Sequence, residues 1–408
     1  MFENTKKTNT IKWSLTALSI LLFGIFDCIN MYKIPSIYQT IYTQLEVEPI
    51  LASWLMTSYS FTATILAIPT GWLSKKLGYK KLLAIGISLS IIGSLIGSIA
   101  FNLSQFNIQA LLVGRILEGT CYIFSSVCIP IIIQRILPKE HIGTIMGIWA
   151  IRVPIACFIG ESTTPIFVEK LGLSSAWIVF CILVLITSII MILVINKNSK
   201  VDTKEKPKNN NTDKNINYFK TYINFLLFLL SFVSISIIQA GILDYTPTIL
   251  QTRFDIDGAL SGILTSLTMI ISIASSLVFG FLCDKFKTYK YVYIFGCALM
   301  GPGALLMYTC YGPLFVTGQI LLGIGLGAPA VSANAVFEIL QPKHHSIGIG
   351  IGMAAFSLGQ VLGSWITQII LANTFENIYI CGICLLITGI IGTAFACFSK
   401  TRTKTKSK

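Results

Sequence analysis

The sequence predicts an all-α integral membrane protein with twelve transmembrane helices in two six-helix bundles and both termini cytoplasmic. Three observations carry that prediction. The 408 residues are 54% hydrophobic and only 12% charged, about half the charged share of a soluble domain. Apolar runs long enough to cross a hydrocarbon core of about 30 Å recur along the whole length. A single long polar stretch, "KNSKVDTKEKPKNNNTDKNINYFK" at 197–220, divides these runs into six and six.

The first half, 1–196, holds predicted spans at 12–33, 50–74, 80–101, 106–133, 142–167 and 174–196. The stretch at 197–220 is rich in Asn and Lys and reads as a flexible linker. The second half, 221–398, holds spans at 221–245, 258–283, 289–310, 313–337, 345–371 and 376–398, followed by a basic tail at 399–408. No small-residue cleavage site follows a short apolar core at the N-terminus, and the first span runs on too long for a leader, so it is expected to remain as a helix.

A net charge of +13 could indicate a nucleic-acid partner. Its distribution indicates a lipid bilayer instead. With the termini cytoplasmic, 25 of the 30 Lys and Arg fall in inner segments and three, Lys33, Lys170 and Arg253, in outer loops. The other two, Arg115 and Arg152, lie inside spans. That asymmetry fixes orientation, and the basic inner face suits anionic lipids. The eleven cysteines lie mostly within spans, where a free thiol behaves as a small apolar group. "CGIC" at 381–384 lies mid-span, without the soluble βαβ context a redox pair needs.

The two halves repeat one another. "IPSIYQT" at 34–40 matches "TPTILQT" at 246–252, and "GWLSKKLGYKK" at 71–81 matches "GFLCDKFKTYK" at 280–290. "GRILEG" at 114–119 matches "GQILLG" at 318–323, and "LPKEH" at 137–141 matches "QPKHH" at 341–345. The order is kept at offsets of 212, 209, 204 and 204 residues. Two six-span halves of the same orientation form a parallel repeat, an architecture that binds substrate near midplane between the halves.

These stretches resemble the major facilitator superfamily over nearly the whole chain. "GWLSKKLGYKK" is similar to its loop G-x-L-x-D-R-x-G-R-K between spans two and three, with Gly71, Leu73, Lys76, Gly78 and Lys80 matching. Lys75 replaces the usual Asp, whereas the second-half copy keeps Asp284 and Lys285. The resemblance implies that this loop steadies one conformational state, and the substitution implies an altered latch. "GRILEG" resembles the span-four motif R-x-x-Q-G, with Glu118 in place of Gln. Asp27, Pro35, Trp54 and Tyr59 match the opening of the drug:proton antiporters. The antiporter signature of span five is absent: Gly160 is followed by Glu161, and Pro165 stands where small residues are usual.

The resemblance also implies that spans one, four, seven and ten line a cavity. Arg115 and Glu118 are three residues apart and share a helix face. Asp27 lies at similar depth on span one. A cluster of Asp27, Arg115 and Glu118 is therefore expected as the proton-coupling site, since a carboxylate that exchanges an arginine for a proton couples protonation to conformation. A static ion pair is the alternative. Arg152 and Glu161 lie on span five, nine residues or about 180° apart, with Pro154 between them. Arg152 is the candidate for an anionic substrate group, and Glu161 a further substrate-site candidate. Gln239, Gln319 and Asn334 could add neutral hydrogen bonds from the second half, with Gln319 in the place of Arg115. Asp244 aligns with Asp27 near the end of span seven and reads as solvated. Single polar residues in spans are also often plain interhelical contacts.

The expected function is a secondary transporter of a small polar organic molecule, proton-coupled and working by alternating access. Two intramembrane arginines favour a substrate with an anionic group. The alternatives are a multidrug/proton efflux pump and a non-transporting membrane sensor. No ATP-binding loop G-x-x-x-x-G-K-[ST] occurs, and no His, Asp or Ser cluster of a membrane enzyme is found. No cofactor, metal or nucleic acid is expected. The expected location is the cell (inner) membrane, multi-pass, as a monomer, with substrate, protons and lipid as partners.

Overall fold

The structure, a computed structural model, describes residues 2–103, 107–136, 148–198, 218–286, 288–309, 312–340, 345–371 and 377–400. Most of the linker at 197–220, most of the tail at 399–408, and His141 and His344 lie outside the described residues. So do the side chains of Lys75, Asp284, Asn334 and His345.

Every described element is helical, and no strand occurs among the described residues. The elements are α1 (Phe2–Tyr32), a 3-10 turn (Pro35–Ile37), α2 (Tyr38–Gln44), α3 (Pro49–Leu77), α4 (Tyr79–Ala100) and α5 (Asn107–Ile136). Then come α6 (Arg152–Leu171), α7 (Ser175–Asn198), α8 (Tyr218–Phe254), α9 (Gly258–Phe286) and α10 (Lys290–Met307). The chain continues through α11 (Gly312–Gly325), a 3-10 turn (Ala328–Val331), α12 (Ser332–Ile339), α13 (His345–Leu371) and α14 (Ile378–Phe398). Among the described residues, eleven stretches are long and apolar enough to cross a membrane, and α11 is a shorter apolar helix. Large apolar side chains such as Ile186, Leu193, Phe281 and Ile390 are exposed, while many Ser and Thr are buried. That distribution suits a hydrocarbon solvent.

Three predicted spans are redrawn: the seventh, expected at 221–245, runs on to Phe254 and takes in Arg253, expected in an outer loop. The tenth, 313–337, is not one helix. A fourteen-residue α11 reaches only about 21 Å. The chain then turns at Gly327 and Pro329 before α12 resumes, because Pro cannot donate to a continuing ladder. The first span runs on past residue 33, through the 3-10 turn and α2 to Gln44.

The chain forms two compact units, Met1–Thr203 with Pro247–Ser266, and Lys204–Thr246 with Leu267–Lys408. In the first, α4 packs on α5 and α7, α3 on α5, and α1 on α6 and α7. In the second, α10 packs on α11 and α14. The repeat reaches atomic detail. A Cβ on Gly93 would lie 2.6 Å from the carbonyl oxygen of Gly114, and one on Gly318 2.7 Å from that of Gly303. Gly114 and Gly318 are the first residues of the paired "GRILEG" and "GQILLG" motifs. In both units a glycine-to-glycine crossing brings helix backbones together, the close approach that small residues permit in membranes.

Candidate functional site

Seven Asp, Glu, Lys and Arg side chains are buried among the described residues, and six of them lie in the first unit: Asp27, Lys33, Arg115, Glu118, Arg152 and Glu161. Three are cations and three are carboxylates, so the charges of this bundle can balance internally. Burying any one alone in lipid would cost about 2.5–3.5 kcal/mol even on the lenient insertion scale.

Glu118 is the hub of one group. Its Oε1 accepts from Lys33 Nζ at 2.7 Å and from Ser94 Oγ at 2.7 Å, and its Oε2 accepts from Arg115 Nη1 at 2.8 Å. Arg115 Nε also donates to the Leu55 carbonyl at 2.8 Å, and its Nη1 to that of Asn30. Lys33 Nζ donates to Asn30 Oδ1 at 3.0 Å and lies 4.6 Å from the Trp177 ring centre. The Arg115 guanidinium sits 4.7 Å over the Tyr59 ring. Lys33, Arg115 and Glu118 are all completely enclosed. The end of α1, α4 and α5 thus meet at one carboxylate, and α7 joins them through the Trp177 ring beside Lys33.

The expected grouping of Asp27 with Arg115 and Glu118 takes a different form. Arg115 and Glu118 pair as their spacing implies, but Asp27 is outside that pair. Its Oδ2 accepts from Ser125 Oγ at 2.5 Å, and the Cys121 thiol faces it. No described cation is within ion-pair distance of it, as the ion pairs among the described residues are those of Glu118. Tyr59 lies between the two groups, its ring under Arg115 and its hydroxyl 3.4 Å from the Asp27 carbonyl oxygen. Lys33, expected in an outer loop, is instead the second cation on Glu118. It directly follows α1, and the apolar stretch runs on to Gln44, so it is inside the span.

Arg152 stacks at 3.8 Å on Trp149 and donates to the Trp149 carbonyl at 3.0 Å and to Ser126 Oγ at 3.1 Å. Ser125 and Ser126, adjacent on α5, thus hold Asp27 and Arg152 respectively. Glu161 is fully buried and its Oε1 accepts from Cys157 Sγ at 3.3 Å, so it does not join Arg152. Also in the first unit, Gln251 donates to the Ser36 carbonyl at 3.0 Å.

The second unit carries mostly neutral groups. Asp244 is buried, not solvated as expected, and accepts from Ser364. Gln239 and Gln319 are buried. Asn334 lies on α12, its side chain outside the described residues. Of the residues expected to form the latch, Gly71 lies in α3 and Gly78 ends it with φ 87°, a left-handed value that favours glycine. Lys76 Nζ lies 5.2 Å from the Trp72 ring centre. Lys80 opens α4, and Asp284 and Lys285 end α9.

A multi-span helical membrane protein with a repeated helix pattern and a buried charge network is the class that fold and site define. The chain belongs to the Major Facilitator Superfamily, whose profile matches residues 20–287 and 247–408. It is 30% identical over 141 residues to the galactose-proton symporter of Escherichia coli (strain K12), which covers 35% of this chain and only 28% of that protein. It is 27% identical over 333 residues to an uncharacterized transporter of Buchnera aphidicola subsp. Baizongia pistaciae, covering 75% of this chain and 76% of the relative. An uncharacterized MFS-type transporter of Methanocaldococcus jannaschii is 27% identical over 340 residues, 78% of this chain and 82% of its own. The fold is similar to that of the proton:xylose symporter XylE bound to 6-bromo-6-deoxy-D-glucose, with TM-score 0.72, 14% identity, and 96% and 97% of the two chains covered.

Proposed function

We propose that this protein is a proton-coupled secondary transporter of a small polar organic molecule, working by alternating access between its two six-span halves, 1–196 and 221–398, with both termini cytoplasmic. The carrying observation is the contrast between Asp27 and Glu118. Glu118 is neutralised by two cations, so a proton there would displace an ion pair. Asp27 is held by the neutral hydroxyl of Ser125, so it can gain and lose a proton without breaking one. Asp27 is the proton carrier in this reading. Lys33, Arg115 and Glu118 brace the helices around it, and Arg152 is the contact for a substrate anion. Gln239, Gln319, Asn334 and Glu161 are further substrate contacts. The loop residues Gly71, Lys76, Gly78, Lys80, Asp284 and Lys285 act as the conformational latch. The sugar-proton symport named for two similar proteins supports the coupling. Sugars fall within the small polar class, and Arg152 extends it to molecules with a carboxylate.

A second reading, multidrug/proton efflux, is favoured by the matches at Asp27, Pro35, Trp54 and Tyr59. Flux in proteoliposomes with an imposed pH gradient tests both. Gradient-driven uptake or exit of sugars or sugar acids supports the first, and gradient-driven drug exit the second. No flux for either panel in protein that binds a ligand would instead indicate a sensor.

A further inference from the structure

A cavity of about 240 Å³ lies in the first unit where the start of α4 meets the far ends of α5 and α7. The charge network does not use it. Lys80, Lys81, Leu83, Ala84, Ile132 and Met191 are among the residues that line it. Leu83, Ile132 and Met191 are buried, whereas Lys81 and Ala84 are exposed and open the cavity to the surroundings. The site therefore has a cationic end, an apolar end and an opening toward the surrounding medium.

Size and charge limit what fits. The volume is below the roughly 300 Å³ at which pockets begin to enclose a whole drug-sized ligand, so it suits part of an elongated molecule. The first turn of α4 has no acidic residue, and the positive end of its helix dipole adds to the potential of the lysines. No described carboxylate forms an ion pair with Lys81. The three helix ends lie on the membrane face that carries the basic excess, where anionic lipid headgroups gather.

We propose that this cavity seats one anionic phospholipid, its phosphate on Lys80 and Lys81 and the start of an acyl chain against Leu83, Ile132 and Met191. The orientation proposed above decides only which leaflet supplies it. The lipid would tie the α3–α4 turn, which carries the latch residues Gly78 and Lys80, to the ends of α5 and α7.

Native mass spectrometry of the delipidated full-length protein, titrated with phosphatidylglycerol or phosphatidylcholine, tests the proposal. The wild type should retain phosphatidylglycerol over phosphatidylcholine by roughly fivefold for each lysine engaged. Lys81→Gln should weaken phosphatidylglycerol retention by roughly fivefold and leave phosphatidylcholine unchanged. Ala84→Trp, which plugs the mouth without altering charge, should remove the preference. Glycerol phosphate, a headgroup without a tail, should not compete. Equal retention of the two lipids by the wild type overturns the proposal without recourse to any variant. So does unchanged retention in both variants, or competition by glycerol phosphate as strong as that of intact lipid.

Discussion

Glu118 and Asp27 are enclosed carboxylates on packed helices of one bundle, and they are held in opposite ways. Glu118 receives two cations and a hydroxyl, while Asp27 receives a hydroxyl, faces a thiol and has no described cation within ion-pair distance. Burial to the same degree therefore does not give two carboxylates the same role. A carboxylate fixed by ion pairs anchors helices, because removing any partner strands a charge in a dry interior. One fixed by a neutral donor is free to exchange protons. Tyr59 touches both groups, its ring under Arg115 and its hydroxyl by the Asp27 carbonyl oxygen.

The sharpest way to break this comparison is Glu118→Gln, which leaves Lys33 and Arg115 both uncompensated. It should destabilise the detergent-solubilised protein by about 3–5 kcal/mol, read by chemical denaturation. Lys33→Met keeps the Arg115–Glu118 pair intact and should cost less, about 1–3 kcal/mol. A cost equal to that of Glu118→Gln would show that Lys33, not Arg115, is the main counter-charge. Gly97→Ala pushes a methyl group into the Trp177 indole that Lys33 rests on. It should cost about 1–3 kcal/mol by overpacking and respond to the same denaturation assay. Asp27→Asn should be the mildest in stability, about 0.5 kcal/mol, because Ser125 can donate to an amide oxygen as it does to a carboxylate. A large loss there would mean that Asp27 is a brace after all.

Much of this was legible in the residues. Apolar length and the two-fold motif repeat carry the helical class, and the repeat extends to the Gly93–Gly114 and Gly303–Gly318 crossings. The Arg115–Glu118 pair follows from a spacing of three on a helix. Lys33 was hidden because a lysine just before Ile34 and Pro35 reads as the start of a loop. Two signs pointed the other way: Ile34, Pro35, Ile37, Tyr38 and Ile41 continue the apolar pattern, and a Glu added to a span-four arginine motif leaves room for a further cation. The Asp27–Ser125 bond joins residues 98 apart, and single serines in apolar helices carry no signal of their partners. The break in the tenth span was visible as Gly325, Gly327 and Pro329, but length and hydropathy outweighed it.

The central claim is that Asp27 carries the proton while Glu118 holds the bundle. Proteoliposomes containing Asp27→Asn test it most directly, by comparing pH-gradient-driven accumulation with substrate counterflow in the absence of a gradient. The account predicts that accumulation falls by roughly ten- to hundredfold, the span of a coupling free energy of about 1–3 kcal/mol, while counterflow persists near the wild-type rate. Accumulation driven by the pH gradient at the wild-type level in Asp27→Asn would contradict it.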